Sequence, residues 1–322
     1  MKRHLSLVGA ALGSFALFAG STVNAECGKV SVGAMGWASG ETITAVATFL
    51  MENGYGCEVE VVPTDTIPAV TSLAENNEPD VVPEVWKNSA PVYAQLEADG
   101  KVVTAASVFE DGGVEGWWIP KYLADAHPEL TTIDGILANP GLIDNRFHNC
   151  PVGWGCRVVS DNLAQVFDFE GNGIEKFDHG SGANLAASIA SAYEDEAPWF
   201  GYYWGPTAVL GKYPMTKVSL GDVVPEIHAC NQKEDCGSPG ISDFPAAPVL
   251  TAVTSTFAEE NPDLAALTGK MVFPNQVLNE ILAWKEDNAA SADEAAAYFL
   301  SNYKDLWKSW LNDMAREKLS GV

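Results

Sequence analysis

Strand-forming and helix-forming runs alternate along the first third of the chain, and this alternation limits the folds open to it. The predicted order is strand, helix, strand, helix, strand, at residues 30–34, 42–50, 58–62, 68–74 and 80–86. Ser39 precedes the first helix as a good N-cap residue, and Gly54 and Gly56 close that helix. This order predicts a parallel α/β sheet, in which ligands bind beyond the carboxyl ends of the strands.

A second α/β unit follows the first. Its predicted elements are a helix at 183–193 and a strand at 199–204, and a further strand is predicted at 248–253, after the disulfide loop that follows residue 218. A helical stretch begins at Asn275. We therefore expect an α/β fold of two lobes, with 26–113 and 218–322 forming lobe 1 and 114–217 forming lobe 2. Two crossings between the lobes suit a cleft that closes on a ligand.

The N-terminus has the pattern of a secretory signal peptide. A basic start at 2–4 leads into the apolar run 5–19, and small residues at Val23 and Ala25 match a signal-peptidase site. The alternative is a membrane anchor, but the run is shorter than the roughly 20 apolar residues that span a bilayer. We expect residues 1–25 to be removed, with cleavage after Ala25 and a monomeric product in the periplasm.

All six cysteines lie after this leader. Two pairs have C-x5-C spacing, which leaves two cysteines for a third bridge, so the predicted disulfides are Cys27–Cys57, Cys150–Cys156 and Cys230–Cys236. The alternative is zinc, because His148 and His228 each stand two residues before a cysteine. Zinc pairs usually show shorter Cys spacing, and an oxidising compartment favours bridges.

The charge excludes one class of function. Asp and Glu number 43 against 18 Lys and Arg, for a formal charge of -25, whereas nucleic-acid binding needs clustered bases. Neither H-E-x-x-H nor G-x-S-x-G occurs in the sequence. We therefore expect no nucleic-acid partner, no cofactor and no enzymatic activity.

Four tryptophans stand in loops or at strand ends, most of them beside glycine. They are Trp37, Trp86, Trp154 and Trp204. A core tryptophan normally packs inside a helix or strand. Three others, Trp284, Trp307 and Trp310, lie in the predicted C-terminal helices and fit a core or surface position there. Converging indole faces bind a quaternary ammonium, because such a cation has no hydrogen-bond donor and lies well on a negative ring face. The first four are therefore predicted ligand-binding residues.

Polar groups near these rings would select the ligand. Glu84 stands two residues before Trp86, so in a strand both face the same side, and a carboxylate there suits a cation or a hydroxyl donor. The backbone at Gly153 and Gly155 could donate hydrogen bonds to a ligand carboxylate. The sequence leaves trimethylamine N-oxide, choline and glycine betaine open.

The chain resembles the periplasmic substrate-binding proteins of ABC importers for glycine betaine, choline and proline betaine. The resemblance rests on the motifs Cys150-Pro-Val-Gly-Trp-Gly-Cys156, Gly116-Trp-Trp-Ile-Pro-Lys-Tyr122 and His127-Pro-Glu-Leu130, and on the stretch ending in Trp307–Leu311. It implies two lobes that close on the ligand, a tryptophan box and a membrane permease as partner. The overall pattern is particularly similar to the trimethylamine N-oxide-binding branch.

Two other functions stay open at this point. One is a secreted metal-binding protein that uses His148, His228 and cysteine ligands. The other is an unrecognised hydrolase on a two-lobe fold.

Overall fold

A computed structural model describes residues 27–322, so the predicted signal peptide lies outside the described residues. The described residues contain ten strands: β1 Lys29–Met35, β2 Glu58–Thr64, β3 Val81–Trp86, β4 Val102–Ser107, β5 Val114–Pro120, β6 Arg146–Asn149, β7 Glu175–Asp178, β8 Gly201–Gly205, β9 Met215–Lys217 and β10 Val249–Thr254. Within 27–322, no helix is both long enough and apolar enough to cross a bilayer.

Fifteen α-helices connect and cover these strands. They are α1 Ala38–Leu50, α2 Thr66–Asn76, α3 Tyr93–Ala98, α4 Lys121–Ala126, α5 Ile133–Ala138, α6 Gly155–Val166, α7 Gly182–Asp195, α8 Ala208–Lys212, α9 Pro225–Asn231, α10 Ser255–Glu260, α11 Pro262–Lys270, α12 Asn275–Asp287, α13 Ala292–Asn302, α14 Lys304–Trp310 and α15 Asp313–Lys318. A π-helical turn, Met51–Tyr55, extends α1. Short 3-10 helices lie at Lys87–Ser89, Pro128–Thr131 and Pro140–Ile143.

The strands form two five-stranded sheets, one in each lobe. The lobe 1 sheet has the order β2-β1-β3-β10-β4, and the lobe 2 sheet has the order β7-β6-β8-β5-β9. The predicted strand–helix alternation and the two-lobe α/β fold are confirmed. Each sheet is mixed rather than wholly parallel, because β10 and β5 run antiparallel to both of their neighbours. These are the strands by which the chain returns to lobe 1 and enters lobe 2.

Three backbone and side-chain contacts bear on the expected return to lobe 1 near residue 218. The Val218 N–H donates to the Trp117 carbonyl at 2.8 Å, and the Ser219 N–H donates to the Thr131 carbonyl at 2.9 Å. The Asn162 side chain donates to the Asn231 carbonyl at 2.9 Å. These contacts attach 218–243 to lobe 2, so we propose that the chain crosses back at about residues 244–248.

The core of each lobe is apolar and aromatic. Trp117 is fully buried in lobe 2 against Phe147 and Phe169. Trp307 and Trp310 are buried in lobe 1, so of the two expected positions they take the core one. The helical stretch from Asn275 is confirmed as α12 to α15. Burial of this apolar surface is the main source of stability for such a chain.

Candidate ligand site between the lobes

The four predicted tryptophans come together at the interface between the lobes. Trp37 follows β1 and Trp86 ends β3, two adjacent parallel strands whose carboxyl ends meet at one edge of the lobe 1 sheet. Trp154 immediately precedes α6, and Trp204 lies near the end of β8 in lobe 2. All four side chains are buried, each with 6% or less of its surface exposed.

The rings meet edge to face. The Trp37 and Trp154 ring centroids lie 5.0 Å apart with the planes at 73°, and those of Trp154 and Trp204 lie 5.1 Å apart at 81°. Trp86 packs edge to face against Phe109, with the ring centroids 5.8 Å apart. Perpendicular neighbours leave ring faces free to border a common space.

That common space is a small cavity of about 260 Å³. Its lining consists of the four tryptophans together with Thr66, Ser89, Glu115, Gly155, Cys156 and Tyr202. None of the lining side chains is Lys, Arg or His, and this composition favours a small ligand with an apolar, positively charged surface.

Glu84 lies behind the rings rather than in the cavity wall. Its Oε1 accepts hydrogen bonds from the indole N–H groups of Trp37 at 2.6 Å and Trp86 at 2.8 Å, and from the Ser39 hydroxyl at 3.0 Å. Burial raises the pKa of this carboxyl to about 7, although the three hydrogen bonds oppose the rise. Glu84 therefore orients two rings of lobe 1, which differs from the direct ligand contact that the sequence suggested.

Glu115 is the carboxylate that lines the cavity, and sequence reasoning missed it. It lies on β5 opposite Trp204 of β8 and is almost fully buried. Its Oε1 accepts hydrogen bonds from the Tyr202 hydroxyl at 2.7 Å and the Ser89 hydroxyl at 3.2 Å. Among the described residues, its Oε2 has no partner. Burial raises the pKa of this carboxyl, against the two hydrogen bonds and the charge of Lys217.

The two predicted backbone donors, Gly153 and Gly155, lie in different surroundings. Gly155 lines the cavity, and it approaches lobe 1 so closely that a Cβ there would lie 1.8 Å from the Ser89 carbonyl oxygen. Gly153 instead faces Asp65, with a φ of +92° that favours glycine. Of the two, only Gly155 lines the cavity, and its role as a backbone donor stays a prediction.

Glycine is also required at the first crossing between the lobes. A Cβ on Gly113 would lie 2.4 Å from the Trp86 ring. Gly113 pairs with Ala247, so the Trp86 ring packs where these two segments meet.

The cysteines are bonded as the sequence predicts, in the pairs Cys27–Cys57, Cys150–Cys156 and Cys230–Cys236. The two histidines of the zinc alternative, His148 and His228, form polar contacts with other groups. The Nδ1 of His148 lies 2.7 Å from the Nε2 of His179, and the Nε2 of His228 faces the Asn88 carbonyl at 3.2 Å. Across residues 27–322, no cluster of three or more His, Cys, Asp or Glu side chains is arranged to hold a metal.

Solved structures with this fold are binding proteins of ABC transporters. A choline binding protein in complex with choline superposes with a TM-score of 0.73 at 21% identity, covering 92% of this chain and 98% of that one. The glycine betaine/L-proline-binding protein of Borrelia burgdorferi has a TM-score of 0.72 at 14% identity, covering 90% of this chain and 99% of that one. A lactococcal protein in a closed conformation with glycine betaine has a TM-score of 0.68 at 17% identity, covering 88% of this chain and 99% of that one. These likenesses confirm the two-lobe periplasmic binding protein fold.

A family model also matches most of the chain. Its description is "substrate binding domain of ABC-type glycine betaine transport system", and it matches residues 28–302. The proteins of this family bind solutes and are not enzymes, which removes the hydrolase alternative. The chain therefore belongs to the family of substrate-binding domains of ABC-type glycine betaine transport systems.

Proposed function

We propose that this substrate-binding component of an ABC importer works in the periplasm and captures a compact trimethylated amine in a cage formed by Trp37, Trp86, Trp154 and Trp204. The observation that carries the proposal is the convergence of four buried indole rings, two from each lobe, around one small cavity. A quaternary ammonium spreads its charge over methyl groups, and indole faces attract such a charge without needing a donor.

The strength of such a cage is sufficient for capture. Each cation–π contact contributes about 0.5–2 kcal/mol, so four contribute roughly 2–8 kcal/mol. Micromolar binding requires about 8 kcal/mol. Burial of the methyl groups adds about 0.8 kcal/mol for each methylene-sized group. No covalent chemistry is needed to reach this affinity.

Glu115 supports a ranking among the trimethylated amines. An ionised Glu115 would accept the hydroxyl of choline through its free Oε2, and a protonated one would donate to the oxygen of an N-oxide. A ligand carboxylate would meet this acid with no lining base beside it. We therefore rank trimethylamine N-oxide and choline above glycine betaine.

Calorimetric titration of the purified protein with trimethylamine N-oxide, choline, glycine betaine and carnitine tests the proposal. We expect at least one of the first two to bind at micromolar Kd or tighter, and glycine betaine to bind more weakly. Failure of all four ligands to bind would refute the cage. Tighter binding of glycine betaine than of the other three would refute the assigned role of Glu115.

A further inference from the structure

The loop closed by Cys150–Cys156 contacts lobe 1 at the junction between β2 and α2. The Ile67 backbone N–H donates to the Gly153 carbonyl at 3.1 Å. The indole N–H of Trp154 donates to Oδ1 of Asp65 at 2.9 Å. A Cβ on Gly153 would lie 3.2 Å from the other Asp65 oxygen. The loop thus lies directly against Asp65, across the gap between the lobes.

The Asp65 side chain is free for this contact because it does not cap its own helix. Asp65 occupies the N-cap position of α2, where aspartate normally accepts a hydrogen bond from the first turn. Here the backbone of Asp65 accepts from Ala69, but the side chain makes no capping bond. The carboxylate faces Trp154 of lobe 2 and the Gly36 backbone of its own lobe instead.

Trp154 differs in this respect from the two rings of lobe 1. Trp37 and Trp86 both donate to Glu84, which belongs to their own lobe. Trp154 belongs to lobe 2 and donates to an acid of lobe 1. The orientation of its ring is therefore fixed by a group that reaches it only when the lobes are together.

We propose that Asp65 is a positioning residue that locks the Trp154 ring into the cage when the lobes close. The inference rests on the proposed function, because it assigns Asp65 a part in holding the captured ligand. Asp65 does not line the cavity, so it acts through the ring rather than on the ligand. A hydrogen bond to a carboxylate is stronger than a neutral one, and negative charge at the N–H edge adds electron density to the ring face.

Stopped-flow tryptophan fluorescence on Asp65→Ala and Asp65→Asn, with trimethylamine N-oxide and choline as probes, measures this role. The contact forms after encounter, so we expect Asp65→Ala to raise koff about tenfold while kon changes less than about threefold. Asp65→Asn should raise koff less than Asp65→Ala does, because the amide oxygen can still accept a hydrogen bond from the Trp154 indole. Asp99→Ala, at the exposed end of α3, is the control and should leave both rates unchanged.

A double-mutant cycle identifies the atom through which Asp65 acts. Trp154→Phe keeps an aromatic ring but removes the N–H, so Asp65→Ala should have little further effect on koff in that background. Additive effects of the two substitutions, or an unchanged koff in Asp65→Ala, would overturn the positioning role. If the wild-type protein binds neither probe, the proposed function fails instead, so the two failures are distinguishable.

Discussion

A single carboxylate oxygen of Glu84 orients the two lobe 1 rings of the proposed cage. Oε1 of Glu84 accepts from two indole N–H groups and one hydroxyl, so the rings of Trp37 and Trp86 share a single anchor. Three donors on one oxygen favour the ionised form, whereas complete burial opposes it. The balance determines how this residue responds to pH.

Replacing Glu84 should change how stability depends on pH. The folded chain holds the Glu84 proton more tightly than the unfolded chain does, because the folded pKa is about 7 against an ordinary value of 4.5. The contribution of this group to the free energy of unfolding is therefore present below about pH 4.5 and is lost as the pH rises through about 7. Relative to Glu84→Gln, the wild type should lose roughly 2–3 kcal/mol over this range in urea unfolding.

Glu60→Gln, on the exposed edge strand β2, is the control for loss of one acid. A wild-type curve parallel to that of Glu84→Gln across the range would show that the buried carboxyl does not take up this proton.

Removing a cage ring should cost affinity without costing the fold. We expect Trp154→Ala to raise the Kd for the preferred ligand at least tenfold, because one face and its closing contact are lost. Trp284→Ala is a matched control. The Trp284 ring stacks on Tyr298, with the ring centroids 4.4 Å apart, and it does not line the cavity. Calorimetry on both variants checks the expectation, and wild-type affinity in Trp154→Ala would reject the site.

At the residue scale the convergence of the four tryptophans was predictable and the positions of the acids were not. Tryptophans beside glycines or at strand ends predicted rings that border a common space, and the four rings do line one cavity. Their contact with a ligand stays a prediction. Asp65 and Glu115 are two acids among 43, and their roles depend on partners far away in sequence. For Glu115 one local signal exists, since it is the only charged residue in the otherwise apolar strand Val114–Pro120.

At the element scale, the loop Cys150–Cys156 carries one of the two lobe 2 tryptophans that line the cavity. It places Trp154 at the start of α6 and Gly153 against Asp65. The sequence predicted this loop from cysteine spacing, and it predicted the strand–helix order from local pattern. The attachment of 218–243 to lobe 2 could not be read in the same way, because it depends on long-range hydrogen bonds such as that between Asn162 and Asn231.

Removing each of the two short disulfides in turn should lower stability equally but weaken ligand binding in only one case. The pairs Cys150–Cys156 and Cys230–Cys236 close loops of the same length, so replacing either pair by serine should cost about 2 kcal/mol of stability. Only the first replacement should also raise the ligand Kd, by several-fold, because only that loop holds a cage ring. Chemical unfolding and calorimetry on both double variants measure this, and equal affinities would contradict the role given to the loop.

At the scale of the whole molecule, the ligand should link the two lobes in unfolding. Two rings come from each lobe, so a bound ligand stabilises both at once. At about 100 times its Kd, the ligand should add about 2.7 kcal/mol, which corresponds to a rise in Tm of roughly 4 °C for a chain of this length. Calorimetric scans should show a single shifted transition. A shift confined to one of two transitions would mean that one lobe binds the ligand alone.

The division of the rings between the lobes also bears on how a captured molecule is unloaded. Neither lobe holds more than two of the four indoles, so neither half retains a complete site once they part. A membrane partner that pries the halves apart would lower the affinity without displacing the cargo by a competitor. Delivery then requires only a mechanical opening, and the empty halves can reassemble around the next molecule.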